Sequence, residues 1–146
     1  MKVLLQRVKR ASVEVDGETV GKIGIGALVF VGIAAGDTPE QVHILARKTL
    51  GLRMFPDVRQ VMNLNVMDAA AELLVVSQFT LVADTAKGHR PGYSCAAPPE
   101  QARLLYNQFV DDLSAVLPVQ TGRFGADMQV SLVNDGPVTF MLERTP

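Results

Sequence analysis

The sequence contains no tryptophan and one cysteine, and these scarcities exclude several classes of protein. Cys95 has no second cysteine to pair with, so an intrachain disulfide is impossible and a reducing compartment is the natural setting. Cys95 precedes two alanines, which favours a small packed residue over a nucleophile. His43 and His89 are the only histidines and show no metal-ligand spacing with Cys95. No Gly-x-Ser-x-Gly nucleophile elbow is present.

Long apolar runs are also missing. The longest, Ala27–Ala35, is far shorter than the ~18 residues of a membrane-spanning helix. Charged residues interrupt Met1–Arg10, so this segment lacks the uninterrupted apolar region of a secretory leader. We therefore expect a soluble, cytoplasmic protein that does not associate with a membrane.

No charge of either sign dominates, because 14 Lys and Arg stand against 15 Asp and Glu, for a formal net charge of −1. General polyanion binders usually carry a basic surplus. RNA is not excluded, since a protein that holds one end of a tRNA needs only a local cluster of cations. The motifs must therefore decide whether RNA is a partner.

Alternating apolar residues indicate β-strands at both ends of the chain. The first run is Val3, Leu5, Ala11, Val13 and Val15, with a period of two. Asp16-Gly17 favours a hairpin turn, so residues 11–15 and 18–23 should pair antiparallel. Further strands are predicted at residues 27–31 and 73–76, and on either side of a Gly-Pro interruption near the end, with Met128, Val130 and Leu132 before it and Val138, Phe140 and Leu142 after it.

Two helices are predicted between the strands. Thr38, Pro39 and Gln41 form a capping box with proline at the first helical position, and Gly51 ends this helix. The second helix spans about residues 99–116 before Pro118, with one apolar face made of Leu105, Phe109, Leu113 and Val116. The order of elements predicts an α+β fold over one domain, residues 1–146, with a mostly antiparallel, curved or barrel-like sheet.

Ser77-Gln78-Phe79-Thr80 places polar residues at the end of an apolar strand. Backbone N–H groups and hydroxyls at such a position can converge on a substrate. A strand end whose hydroxyls satisfy a turn gives the same pattern. The spacing alone favours the turn.

Asn134-Asp135-Gly136-Pro137-Val138-Thr139 interrupts the last strand pattern. Proline removes a donor from the sheet, so Gly136-Pro137 indicates a bulge, an edge or a sharp bend. A cis peptide bond before Pro137 is a second possibility. The pattern alone favours a bulge.

Lys87-Gly88-His89-Arg90-Pro91 is a basic loop, with two interpretations. Its cations can contact phosphates, or the segment can be an ordinary solvated loop. The sequence alone favours the solvated loop.

Taken together, these pieces resemble the D-aminoacyl-tRNA deacylase family, in the family's order along the whole chain. They are Gln6-Arg7-Val8, Arg10-Ala11-Ser12-Val13, Met62-Asn63-Leu64-Asn65-Val66, Ser77-Gln78-Phe79-Thr80-Leu81, Gly122-Arg123-Phe124-Gly125-Ala126-Asp127-Met128 and Asn134-Asp135-Gly136-Pro137-Val138-Thr139. Ser77-Gln78-Phe79-Thr80 and Asn134–Thr139, at this separation, are together the most specific part of the match. One departure is Gly92-Tyr93, where the family more usually has Ser-Phe.

The resemblance implies a homodimer that hydrolyses the ester between a D-amino acid and the 3′ end of tRNA, with no metal or organic cofactor. Each site would combine catalytic Ser77, Gln78, Phe79 and Thr80 with a cis Gly136-Pro137 pair from the partner. Arg7 would brace that pair. Some members of the family also remove glycine from mischarged tRNA. An L side chain would be rejected by a clash with the main chain, which glycine escapes.

Thr80 is expected to position substrate or water, because no base is evident to activate it as a nucleophile. Backbone N–H groups near Phe79 and Thr80 would stabilise the oxyanion. Two other functions remain open at this stage. One is a non-catalytic RNA-binding module, and the other is a Thr- or Ser-dependent esterase acting on small molecules.

Overall fold

The computed structural model describes residues 1–146. Its longest strands come from the two ends of the chain and pair with each other. The elements are β1 (Lys2–Val15), β2 (Glu18–Ile23), β3 (Gly26–Gly32), α1 (Pro39–Gly51), β4 (Phe55–Pro56), β5 (Met62–Leu64), β6 (Glu72–Ser77), a 3-10 turn (Phe79–Val82), α2 (Pro99–Ser114), β7 (Val119–Thr121) and β8 (Gln129–Glu143).

The main sheet has the order β2-β1-β3-β6-β7, and β8 pairs with the other side of β1. Strands β1, β2, β3 and β8 pair antiparallel, as expected for an α+β fold. Strands β3, β6 and β7 pair parallel, which the sequence did not predict. Helices α1 and α2 connect these parallel strands, since parallel neighbours require a crossover.

The sheet curls until its two ends meet. Gly21 of β2 lies so close to β7 that an added Cβ would overlap the Thr121 carbonyl oxygen. The inside of the curl holds a small apolar cluster that includes Val8, Val13 and Leu74. A larger cluster lies on the other face, where α1 and α2 cover the sheet. The predicted barrel-like α+β fold is therefore confirmed.

Strand β1 changes the face that it buries. Val3 and Leu5 belong to the larger cluster under the helices, whereas Ala11 and Val13 belong to the cluster inside the curl. The pairing with β8 is irregular on both sides of Val8, so residues of the same parity point to opposite faces before and after it. The predicted alternation is present, but the apolar residues of β1 contribute to two separate apolar clusters.

The capping box predicted for α1 is confirmed. The Thr38 N–H donates to Gln41 Oε1 at 2.8 Å, and the Thr38 side chain accepts from the Glu40 N–H. Helix α2 ends at Ser114, so the expectation that Val116 lies on its buried face is wrong. Val116 lies beyond the last helical turn and is 51% exposed, while Leu105, Phe109 and Leu113 are buried as predicted.

The expectation that Cys95 is packed is also wrong, because its side chain is exposed. The loop that contains Cys95 attaches to the end of β3 through the main chain. The Cys95 carbonyl accepts a hydrogen bond from the Ala35 N–H at 2.8 Å. Elsewhere in the fold, neither helix is long and apolar enough to cross a membrane.

Replacing Gly26 with alanine should destabilise the fold. Gly26 begins β3, and an added Cβ there would overlap the Glu72 carbonyl of the paired strand β6. We expect the free energy of unfolding in urea to fall by about 1–3 kcal/mol, the usual cost of overpacking. Gly51→Ala is the matched control, because nothing lies within 4 Å of the added Cβ and alanine favours a helix. Equal effects of the two substitutions would contradict the close approach at Gly26.

Candidate active site

A cavity of about 480 Å³ opens at the carboxyl end of β6. Its walls come from Ser77–Phe79, from the Phe124–Met128 segment, from Ala96 and Ala97, and from α2. Most of the lining residues are apolar, and the volume falls in the ordinary range of small-molecule sites.

The Ser77–Thr80 segment is fixed by main-chain hydrogen bonds. The Gln78 N–H donates to the Val31 carbonyl at 2.7 Å, which holds the segment against β3. The first bond of the 3-10 turn runs from the Leu81 N–H to the Gln78 carbonyl. The Phe79 and Thr80 N–H groups therefore precede the hydrogen bonds of the turn, as first amides of a helix do. They are candidate donors for a developing negative charge.

Three of the four predicted residues of this segment line the cavity, namely Ser77, Gln78 and Phe79. Thr80 is exposed beside it, and its Oγ1 accepts a hydrogen bond from Gln78 Nε2. The Phe79 ring is 55% exposed and lies 5.1 Å from the ring of Tyr93, centroid to centroid. The Tyr93 that departs from the family's usual residue thus packs against this segment.

Tyr106 forms a wall of the cavity without being available as a base. Its hydroxyl donates to the Val75 carbonyl at 2.9 Å and anchors α2 to β6. Burial raises the pKa of the Tyr106 phenol, so the hydroxyl stays protonated at neutral pH. Its ring packs against Phe124, and the Arg103 guanidinium lies 5.3 Å above the Phe124 ring.

The Phe124–Met128 segment was not predicted to belong to the site, although its motif contributed to the family resemblance. It lines the cavity beside α2 and brings Asp127, the only carboxylate among the lining residues. Gly125 has φ +76°, a conformation that favours glycine. The motif that contains this segment contributed only to the family resemblance, and the folded chain shows which cavity the segment lines.

The Gly136–Pro137 peptide bond is cis, as expected from the resemblance. Both residues are exposed on the surface of the chain, opposite Arg7 of β1. Arg7 Nη1 donates to the Met54 carbonyl at 2.7 Å. Arg7 Nε lies 2.8 Å from Asp135 Oδ2, an ion pair in which the N–H is not aligned for a hydrogen bond. Arg7 thus contacts the residue that precedes the Gly136–Pro137 pair.

One chain does not bring the Gly136–Pro137 pair to its own cavity. Ser77 pairs with Val31, which in turn pairs with Val3, whereas the pair lies opposite Arg7. The pair is therefore about 13 Å further along the strands and about 14 Å across the sheet from Ser77, at ordinary strand spacings. The structure leaves the two predicted parts of the site separate within a protomer.

The Lys87–Pro91 loop is exposed and lines no part of the cavity. Main-chain hydrogen bonds between Asp84 and Gly92 close its base. No cluster of three or more His, Cys, Asp or Glu side chains is close enough to hold a metal ion. The predicted absence of a metal or cofactor stays a prediction.

Two solved structures share this fold. A structure titled as that of a probable eukaryotic D-amino acid tRNA deacylase has the same fold, with a TM-score of 0.80 over 97% of both chains at 17% identity. A structure titled c-Myc DNA Unwinding Element Binding Protein is more similar, with a TM-score of 0.95 over 100% of both chains at 44% identity. The fold is that of the tRNA deacylases.

The chain belongs to the D-aminoacyl-tRNA deacylase family. The family model described as D-Tyr-tRNA(Tyr) deacylase matches residues 4–143. The D-aminoacyl-tRNA deacylase of Haemophilus influenzae strain PittEE is 56% identical over 97% of this chain and 99% of its own length. That of a Marinomonas species is 57% identical over 98% and 100%. The resemblance and the enzyme class predicted from the motifs are confirmed.

Proposed function

We propose that this chain hydrolyses the ester bond of D-aminoacyl-tRNA and releases tRNA and the D-amino acid. The observation that carries the proposal is the position of Ser77, Gln78 and Phe79 on an apolar cavity in a member of the deacylase family. The cavity receives the aminoacyl end of the tRNA. The family membership favours this function over a non-catalytic RNA-binding module.

The reaction needs little from the side chains, because an aminoacyl ester is already activated. Water attacks the ester carbonyl, and the negative charge that develops on its oxygen is stabilised by the Phe79 and Thr80 N–H groups. These donors are held in place by the turn, so they need no rearrangement during the reaction. The ribose 2′-hydroxyl of the substrate helps to activate the water.

Thr80 positions the substrate or the water and does not attack the ester. Its only side-chain hydrogen bond is to the Gln78 amide, which cannot remove its proton. Neither histidine is hydrogen-bonded to Thr80. His43 pairs with Asp112, and His89 lies in the exposed Lys87–Pro91 loop.

Thr80→Ala should therefore retain activity within about tenfold of the wild type, the effect of losing one hydrogen bond of ~1 kcal/mol. A nucleophile would cost ~10⁴-fold or more. The measurement is single-turnover hydrolysis of D-tyrosyl-tRNA, with Thr80→Ser as the control that keeps the hydroxyl. An acylated Thr80 trapped by rapid quenching would contradict this role.

Selection of D-amino acids follows from the use of main-chain groups. Carbonyl oxygens that hold the substrate's amino group leave a single direction for the side chain. An L side chain directed elsewhere would collide with the backbone. Glycine has no side chain to collide, so we expect glycyl-tRNA to be hydrolysed as well.

The decisive assay compares D-tyrosyl-, L-tyrosyl- and glycyl-tRNA and follows the loss of the ester. We expect hydrolysis of the D-tyrosyl and glycyl esters, while the L-tyrosyl ester decays at the rate without enzyme. Binding of all three without ester loss would instead support an RNA-binding module. Hydrolysis of small D- and L-amino acid esters at equal rates would support a small-molecule esterase.

The working unit is a homodimer in which each cavity receives the Gly136–Pro137 pair of the partner. Two observations support this arrangement. The pair lies too far from the cavity of its own chain, and both residues are exposed in the protomer. Arg7 braces the pair through Asp135. A two-fold axis would supply two complete sites at once.

Mixing two inactive variants tests the shared site. Gly136→Val adds bulk to the pair, and it should fold because the nearest atom to an added Cβ is 3.7 Å away. Gln78→Trp adds bulk to a residue that lines the cavity and so blocks the other half of the site. Each variant alone should be inactive, and an equal mixture should recover about a quarter of wild-type activity, since half of randomly formed dimers hold one intact site.

A mixture with no recovered activity after subunit exchange would contradict the shared site, as would full activity of a monomer. Subunit exchange is followed independently with differently tagged chains. The control mixture combines Gly136→Val with Asp135→Asn, which alter the same half of the site, and should show only the average of the two variants' separate activities.

A further inference from the structure

We propose that a groove on the outer face of β1, β2 and β8 binds a phosphate of the tRNA backbone. The groove is separate from the cavity, has a volume of about 140 Å³, and is lined mainly by Arg10, Ser12, Lys22 and Ser131. We call it the basic groove. This inference rests on the proposed function, because the basic groove would contact the tRNA at a point distant from the ester that reacts.

The sheet register places these four side chains on one face. Ser12 pairs directly with Lys22 on β2 and with Ser131 on β8. Direct cross-strand partners have Cβ atoms ~4.5–5.5 Å apart and point to the same side. Arg10 precedes Ser12 by two residues and shares that face. Two cations and two hydroxyls therefore converge across three adjacent strands.

The irregular pairing of β1 around Val8 is what turns these side chains outward. Beyond it, Ala11 and Val13 fill the inside of the curl, so Arg10 and Ser12 point away from it. Neither helix lines this part of the sheet's outer face. Arg10 and Lys22 are thus exposed without being covered by another element.

The charges in the basic groove are not neutralised by the protein. Neither Arg10 nor Lys22 lies within 4.0 Å of a carboxylate, whereas Arg7 and Lys9 on the same strand both pair with Asp135. Glu14 is the next residue on this face of β1, at the far end from Arg10. Although the net charge of the chain is −1, the basic groove holds two cations without a carboxylate partner beside two hydroxyl donors.

These groups suit a phosphodiester. Lysine, arginine and hydroxyl side chains are the usual donors to the phosphates of nucleic acids. The groove also lies close to the reaction, because Val130 lines the cavity and its neighbour Ser131 lines the groove on the opposite face of β8. A tRNA whose 3′ end enters the cavity has backbone phosphates within a short distance of it.

The test compares Arg10→Gln/Lys22→Gln with the wild type on two substrates. One is D-tyrosyl-tRNA, and the other is D-tyrosyl-adenosine, which has the same ester without phosphates. Each phosphate contact contributes about four- to sixfold to affinity at ~0.15 M salt. We therefore expect KM for the tRNA to rise about four- to sixfold, the contribution of one phosphate contact, with kcat unchanged, and both constants for the nucleoside ester to be unchanged.

The salt dependence gives a second readout that does not need activity. The slope of log affinity for uncharged tRNA against log salt should become shallower by about 0.7–0.9 in the double variant. Lys48→Gln/Arg59→Gln is the matched control, since it removes the same charge from two other exposed positions. Urea midpoints of both variants should equal that of the wild type.

Unchanged KM and salt slope in the double variant would overturn the proposal, as would an equal effect of the control. Saturable binding of inorganic phosphate at constant ionic strength, with tRNA affinity unaffected, would show a site for a free anion and would also overturn it. A wild type that hydrolyses neither substrate would contradict the proposed function instead. The binding measurement would still decide the role of the basic groove.

Discussion

The structure depends on β1, which pairs with β2, β3 and β8 and so joins both ends of the chain. Its irregular pairing around Val8 lets one strand contribute to two apolar clusters on opposite faces of the sheet. The same irregularity leaves Arg7 opposite Asp135 and turns Arg10 outward. The irregular pairing around Val8 thus affects the packing of both apolar clusters, the support of the Gly136–Pro137 pair and the formation of the basic groove.

The cavity lies where ligand sites often occur in sheets with parallel strands, at the carboxyl end of a strand. Strand β6 is flanked by parallel β3 and β7, so its last residues emerge beside the connections to α2 and β7. Burial of Tyr106 and its bond to Val75 hold α2 against β6. This bond fixes one wall of the cavity, and the proposed donors beside it are main-chain N–H groups.

The proposed use of main-chain groups would allow one enzyme to accept many D-amino acids. Such a site would contact the parts that they share, the ester and the amino group, and leave the side chain free. The proposed division of this site between two chains also fits the sheet. Gly136 and Pro137 lie on β8 away from their own cavity, and the proposed dimer would bring them to the cavity of the partner.

The sequence by itself determined the local structure and the family. Features that depend only on neighbouring residues could be predicted from the sequence. They are the capping box of α1, the Asp16-Gly17 hairpin, the period-two strands and the Ser77–Thr80 and Asn134–Thr139 motifs. The sequence did not show the parallel strands, the change of face in β1, the end of α2 before Val116 or the exposure of Cys95. Only the tertiary structure determines those features, because each depends on which distant strand or helix packs beside the residues concerned. The same holds for the Phe124–Met128 wall of the cavity and for the convergence of Arg10 with Lys22.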